Sequence, residues 1–248
     1  MAIVDETSKC AHEVTPWTYL PNFIDGDYYF SKLLEPLNDA CSTYPVNVYG
    51  KTFESNRKSC VFSLDPIDPK FWDSYNDLPF LGWDRSPQLL LDLKQMFERK
   101  FECRFDYVLV QFYRHGDDYI GWHNDKEALN TDIVSVSFGA SRRFQFRPLK
   151  DKKGFSHEIM LNSGDVLHMH RPKNVKKEDG ETKNEKIEGC QHMYKHSVPK
   201  MTCKDLKSYI EGRGFTIEGR ATKEKINKII KENDIEPIRI SLTFRQYE

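Results

Sequence analysis

Apolar residues in this chain recur first at helical spacing and later, from residue 107 onward, at every second position. Phe30, Leu33, Leu34 and Leu37 fall at i, i+3, i+4 and i+7, which predicts a helix that Asp25 or Asp27 can cap. Ser86-Pro87 predicts a second helix, with Ser as N-cap, Pro at the first helical position, and Leu89, Leu90, Leu93 and Phe97 on one face. The period then drops to two. Tyr107–Tyr113, Ile133–Phe138, Arg143–Arg147, Glu158–Leu161 and Asp165–Met169 read as short strands separated by turn residues. Residues 46–63 read as strands around a Tyr49-Gly50-Lys51 turn, and 64–85 as a long ordered loop. Two helices followed by closely spaced strands predict an antiparallel sandwich or jelly roll. Two stretches interrupt it: residues 171–190, polar and charged, read as a mobile loop, and 201–235 return to a helical period.

Composition narrows the setting more than the chemistry. The 248 residues are 38% hydrophobic and 30% charged, enough for one large core under a solvated surface. A net charge of -1 means that any nucleic-acid surface must be a local patch. Six cysteines without a Cys-x-x-Cys pair argue against a zinc knuckle or a disulfide scaffold. With no apolar stretch of membrane-spanning length and no signal-peptide pattern, the expectation is a soluble intracellular monomer without membrane contact.

The chemistry concentrates in His123-Asn124-Asp125 and in the last strand, Arg239–Arg245. Alternation puts His123 and Asp125 on one face, where they can hold one side of a metal. It likewise puts Arg239, Ser241, Thr243 and Arg245 together, opposite Ile240, Leu242 and Phe244. Two arginines turned inward beside hydroxyls are expensive to bury unless an anion meets them. The combination suggests a metal site that binds a carboxylate co-substrate. Two histidines and a carboxylate leave open positions on iron for co-substrate and oxygen. His196 is the preferred third ligand, with His192, His168 and His170 as competitors.

Val110-Gln-Phe-Tyr113, Gly121-Trp-His-Asn-Asp-Lys-Glu127, Val134–Phe144, Gly164-Asp-Val-Leu167, His196-Ser-Val-Pro199 and Arg239–Arg245 follow one another in an order that resembles the AlkB family of Fe(II)/2-oxoglutarate-dependent dioxygenases. The resemblance implies an α+β fold: a double-stranded β-helix (jelly-roll) core, with N-terminal helices on one sheet and a helical insertion before the last strand. It implies Fe(II) held by His123, Asp125 and His196. It places Arg239 on the distal carboxylate of 2-oxoglutarate, Arg245 near its chelating end, and Tyr113 in hydrogen-bonding reach. Gln111 and Ser241 stand where the family usually has asparagine; Gln111 keeps the amide and Ser241 loses it. The implied reaction is oxidative removal of N-alkyl groups from DNA or RNA bases (1-methyladenine, 3-methylcytosine), releasing succinate, CO2 and formaldehyde. Alternatives are a protein or small-molecule hydroxylase and a non-catalytic nucleic-acid-binding relative.

On the substrate side, Tyr49 stands where double-strand-directed members carry an aromatic wedge. Lys51, Arg57 and Lys58 are candidate phosphate contacts, Phe62 a stacking partner for a flipped base, and Glu127 a hydrogen-bond partner for its exocyclic amine. Trp122 is expected to pack on the opposite face of the His123 strand. Residues 201–235 are similar to the SAP helix-turn-helix, a small DNA-binding module. The stretch 200–235 holds nine Lys or Arg against six Asp or Glu. The implied organisation is a flexible N-terminus (1–16), a dioxygenase domain (17–200 plus 236–248) and an inserted SAP-like segment (201–235).

Overall fold

In the computed structural model, which describes residues 15–48, 50–63, 78–150, 157–176 and 184–247, helix α1 (Gly26–Ala40) starts where the Asp25 carboxylate accepts the Tyr28 N–H at 3.0 Å. The second helix, α2 (Gln88–Phe101), begins one residue later than predicted. Ser86 does not cap it; its hydroxyl turns back to the Trp83 carbonyl at 2.8 Å. Leu33 and Leu37 of α1 and Leu90, Leu93 and Phe97 of α2 are fully buried in one cluster.

Those helices lie on a seven-stranded sheet ordered β1-β11-β8-β15-β6-β4-β5. Its strands are β1 (Trp17–Leu20), β4 (Lys58–Ser63), β5 (Phe80–Gly82), β6 (Tyr107–Tyr113), β8 (Ile133–Gly139), β11 (Val166–Met169) and β15 (Arg239–Arg245). A second sheet, ordered β10-β9-β14-β7, faces it: β7 (Ile120–His123), β9 (Arg142–Pro148), β10 (His157–Leu161) and β14 (Tyr194–Val198). Ile240, Leu242 and Phe244 of β15 point into the helix layer with Val108, Val110, Phe112, Val134, Val136 and Phe138. Burying each such side chain contributes about 1.5–3 kcal/mol. A second cluster, including Trp17, Tyr113, Ile133, Phe144, Phe146 and Leu167, fills part of the space between the sheets. The mixed α+β jelly roll with helices on one sheet is therefore present.

Several local expectations change. Trp17–Leu20 forms a strand beside β11, with the Trp17 ring stacked on Phe146 at 3.9 Å. Part of the 64–85 stretch is also regular, because β5 pairs in parallel with β4 and a 3-10 turn (Trp83–Arg85) follows. Within 171–190, β12 (Lys173–Lys176) and β13 (Asn184–Ile187) pair as a hairpin. Hydrogen bonding between two polar strands gives no apolar alternation to read. A hairpin of β2 (Pro45–Val48) and β3 (Lys51–Glu54) precedes β4, and its Tyr49 lies outside the described residues, as do residues 1–14.

After the short helix α3 (Cys190–Met193) and β14, the chain forms α4 (Cys203–Glu211) and α5 (Lys223–Glu232) before entering β15. Thr202 and Asp205 form a reciprocal capping box, and Thr222 caps α5. Leu206, Ile210, Ile226 and Ile230 make a small core of their own, with Met201. This unit is tied to the barrel by Arg143–Asp205 at 3.0 Å, Lys223–Asp117 at 2.5 Å and the Met201 N–H on the Gly116 carbonyl at 2.8 Å. Gly116 leaves room for it, since a Cβ there would lie 2.8 Å from Leu206 Cδ2. Among the described residues no helix is long and apolar enough to cross a membrane.

Candidate metal and anion site

The pairing of β14 with β7 sets His196 directly opposite His123. Between His196 and Val198 the register slips by one residue, a bulge in β7 that lets both Ile120 and His123 face the space between the sheets. The two imidazoles lie 4.2 Å apart between centroids. Asp125 follows the strand in extended conformation, with its N–H held by the Gln191 side-chain oxygen at 2.9 Å. His123 Nε2 lies 3.8 Å from Asp125 Oδ1, and His196 Nε2 lies 3.5 Å from Asp125 Oδ2. Ligand atoms of all three converge within 4.8 Å. Bonds of about 2.1 Å to a divalent ion separate neighbouring ligands by about 3 Å, so a modest contraction closes this set on a metal.

Protonation states agree with ligation. The His123 Nδ1 is 2.8 Å from the Gly121 carbonyl, which only accepts, so that nitrogen carries the proton and Nε2 presents its lone pair. Burial, reinforced by His123 alongside, pushes the His196 pKa down to about 3. Burial also lowers that of His123 against the pull of Asp125. Burial alone would raise the Asp125 carboxyl; Arg245, with the two histidines, outweighs it and holds the group ionised. Asp125 is 4% exposed, and its Oδ2 has no hydrogen-bond partner. Two neutral imidazoles beside a buried carboxylate with an unpaired oxygen fit a divalent cation such as iron.

Histidines 192, 168 and 170 are engaged elsewhere, with Asn130 at 3.1 Å, Asp132 at 2.9 Å and Thr18 at 2.8 Å respectively. Trp122 faces away from the cluster, under the Arg147 guanidinium at 4.4 Å.

Next to the three ligands, β15 turns Arg239, Ser241, Thr243 and Arg245 into the same cavity, which Gln111 also lines. Arg245 reaches Asp125 at 2.9 Å and also meets Glu127. Arg239 is different. It is 1% exposed and donates to Ser137 Oγ at 2.9 Å, yet its Nε and Nη1 have no hydrogen-bond partner. Its guanidinium sits 5.1 Å from the Tyr113 ring centroid. Among the described residues no carboxylate pairs with Arg239. A buried guanidinium surrounded by hydroxyls and a phenol is incomplete without an anion, and a carboxylate completes it bidentately. Tyr113 is buried, its hydroxyl 3.4 Å from Gln111 Oε1. Arg239 and Ser241 are cross-strand partners of Tyr113 and Gln111. The two departures from asparagine therefore face each other, a longer amide opposite a shorter hydroxyl.

The substrate-side residues divide. Phe62 is not at the site: it is fully buried beneath the helices with Leu33, Leu90 and Val108, because odd and even positions of β4 serve different cores. Lys58 is tied to Asn38 of α1 at 2.9 Å. Glu127 is engaged by Arg245. Lys51 is exposed on its hairpin, and Arg57 lies near enough to His123 to oppose its protonation. Sequence reasoning missed Gln191, whose side chain fixes Asp125, and Ser137, which holds Arg239; neither carries a local signal. It also gave no role to Arg142.

The comparisons agree with this geometry. Residues 18–178 match the family model described as the 2OG-Fe(II) oxygenase superfamily. The DNA oxidative demethylase ALKBH2 of Bos taurus is 42% identical over 145 residues, covering 52% of this chain and 48% of that protein. The Mus musculus alpha-ketoglutarate-dependent dioxygenase alkB homolog 3 is 30% identical over 118 residues, covering 41% of each. The Arabidopsis thaliana ALKBH2 is 27% identical over 111 residues, covering 44% of this chain and 35% of that one. The chain thus spans about half, or less, of these relatives. The solved structure of OsALKBH1 superposes with a TM-score of 0.52 at 17% identity, covering 95% of this chain and 100% of that one, a likeness of fold. A jelly roll with a His-Asp-His cluster beside an anion-seeking arginine, matched by that model over more than half its length, places the chain in the 2OG-Fe(II) oxygenase superfamily, whose members use Fe(II) and 2-oxoglutarate.

Proposed function

We propose that the chain oxidatively demethylates N-alkylated bases of the 1-methyladenine and 3-methylcytosine type in nucleic acid, consuming 2-oxoglutarate and O2 and releasing succinate, CO2 and formaldehyde. The observation that carries this reading is the convergence of the His123-Asp125-His196 cluster with the unpaired nitrogens of Arg239 in one cavity. The relatives named DNA oxidative demethylase favour DNA as the polymer.

Iron bound there would activate O2, the oxidant, with 2-oxoglutarate supplying two of the electrons that its reduction requires. The chain's own residues supply placement. His123, Asp125 and His196 would hold the metal. Arg239 would take the distal carboxylate of the co-substrate, with Ser137 and Ser241 holding its guanidinium and Tyr113 beside it. Arg245 steadies Asp125 and is itself steadied by Glu127. Ile120, Phe144, Met169 and Val198 form an apolar wall that excludes water.

The 201–235 unit is a second contact for the polymer in this reading. Lys204, Lys207, Arg213, Arg220, Lys225, Lys228 and Lys231 are all exposed on it. Arg213 stacks 3.6 Å over the Tyr209 ring, beside a groove of about 760 Å³ shared with Arg143 and Lys204. Guanidinium and aromatic faces beside phosphate-seeking lysines suit a nucleic-acid strand.

Purified protein with Fe(II), ascorbate and 2-oxoglutarate is expected to demethylate oligonucleotides carrying 1-methyladenine or 3-methylcytosine, with matching formaldehyde. DNA and RNA, single- and double-stranded, are compared in one assay. Intact co-substrate binding without turnover on any methylated strand would instead point to a hydroxylase of proteins or small molecules. A separate expectation concerns the insert. Joint replacement of Lys225, Lys228 and Lys231 by Glu should weaken oligonucleotide binding and flatten its salt dependence by about two to three in log-log slope, metal affinity unchanged. An unchanged slope makes the unit a brace and nothing more.

A further inference from the structure

Arg142 is 1% exposed on β9 and sits on the inner face, beside the Tyr113 ring. Its Nη2 donates to two carbonyls from different segments, Asp118 at 2.6 Å and Pro199 at 2.8 Å. Asp118 closes the loop leading into β7, which carries His123; Pro199 follows β14, which carries His196. The Asp118 side chain is meanwhile held by Arg114 through two contacts of 3.0 Å, so its carbonyl is presented on a rigid turn. The guanidinium of Arg142 lies 5.2 Å from the Tyr113 ring centroid, and that of Arg239 lies 5.1 Å from the same ring. Among the described residues no carboxylate pairs with Arg142, and its Nε and Nη1 have no hydrogen-bond partner.

A buried cation with this little compensation is costly, and a buried aliphatic residue would fill the space more cheaply. What an aliphatic residue could not do is bind two carbonyls flanking separate strands while setting a cation over an aromatic ring. We infer that Arg142 is a positioning residue of the metal and co-substrate site: it clips the two histidine-bearing strands together at their shared end and backs Tyr113 against the pocket of Arg239. It touches neither metal nor co-substrate and acts through His123, His196 and Tyr113. The inference rests on the assignment of those histidines as metal ligands.

Mn(II) and 2-oxoglutarate titrations, read by calorimetry alongside thermal melting, test it without requiring turnover. Arg142→Met, still folded, is expected to lose about tenfold or more in Mn(II) affinity, in the range that outer partners of metal ligands command, and to bind 2-oxoglutarate more weakly. Arg142→Lys keeps donors and charge and should recover Mn(II) affinity to within about threefold of wild type, while its 2-oxoglutarate affinity stays reduced because an ammonium does not lie flat on Tyr113. Should Arg142→Met fail to fold, Arg142→Gln is measured the same way, with the same expected losses. A folded Met or Gln variant with wild-type affinities for both probes overturns the inference and leaves the metal assignment standing. Wild-type protein that binds no Mn(II) overturns both together.

Discussion

Replacing His123 by alanine is expected to abolish turnover and to strip the protein of its metal, with little change in melting temperature. The ring sits at the end of β7, an edge strand of the second sheet, and is partly exposed, so its loss leaves no large cavity. The metal set, by contrast, falls from three protein ligands to two. Loss of an outer partner already weakens metal binding by about 10–100-fold, and loss of a direct ligand exceeds that. The informative control is His192→Ala. His192 was a competitor for the third position, but its imidazole meets Asn130 on the surface, away from Asp125. That variant should retain metal and turnover within about twofold, the ordinary reach of a substitution at a half-buried position outside the ligand set. Metal content after dialysis and formaldehyde release measure both. A His123 variant that keeps its iron, or a His192 variant that loses it, contradicts the ligand set.

The legible parts of the chain were those where one face is apolar and the other is not. β15 shows this best. Its alternation separates Ile240, Leu242 and Phe244 from the two arginines, and the structure sends the first group under the helices and the second into the cavity. Alternation alone fails where both faces of a strand are buried. β4 lies between two cores, so nothing local says that Phe62 belongs to the helix side and Val61 to the other. Polar pairing is likewise silent in sequence, which is why the β12–β13 hairpin read as loop. Ser86 shows a further limit, since the same hydroxyl can cap forward or bond backward, and here it bonds back to the Trp83 carbonyl. Arg142 was present in a matching motif without a role, because its two carbonyl partners come from residues 24 positions before it and 57 after it.

Arg239 carries the second large effect. Its replacement by Met is expected to raise the KM for 2-oxoglutarate by about 10²–10³-fold, the equivalent of losing one side of a buried charged pair. Metal affinity should stay near wild type, because Arg239 contacts Ser137, Ser241 and Tyr113 and not the ligand set. Stability separates this role from a structural one. A purely structural arginine would destabilise the protein when lost. Arg239 is buried with two unpartnered nitrogens, and burial depresses its basicity, so the ligand-free protein bears a desolvated cation. Removing it should leave the melting temperature of ligand-free protein unchanged or higher. Wild-type protein loaded with Mn(II) should melt higher as 2-oxoglutarate is added, by mass action on the folded state. The Arg239→Met variant should show no such rise at the same concentrations. A variant that melts well below wild type, yet still responds to 2-oxoglutarate, would make Arg239 a structural residue and return the anion site to Arg245. Arg245 itself should behave in the opposite way, since its loss leaves Asp125 buried without its cation and lowers stability before any ligand is added.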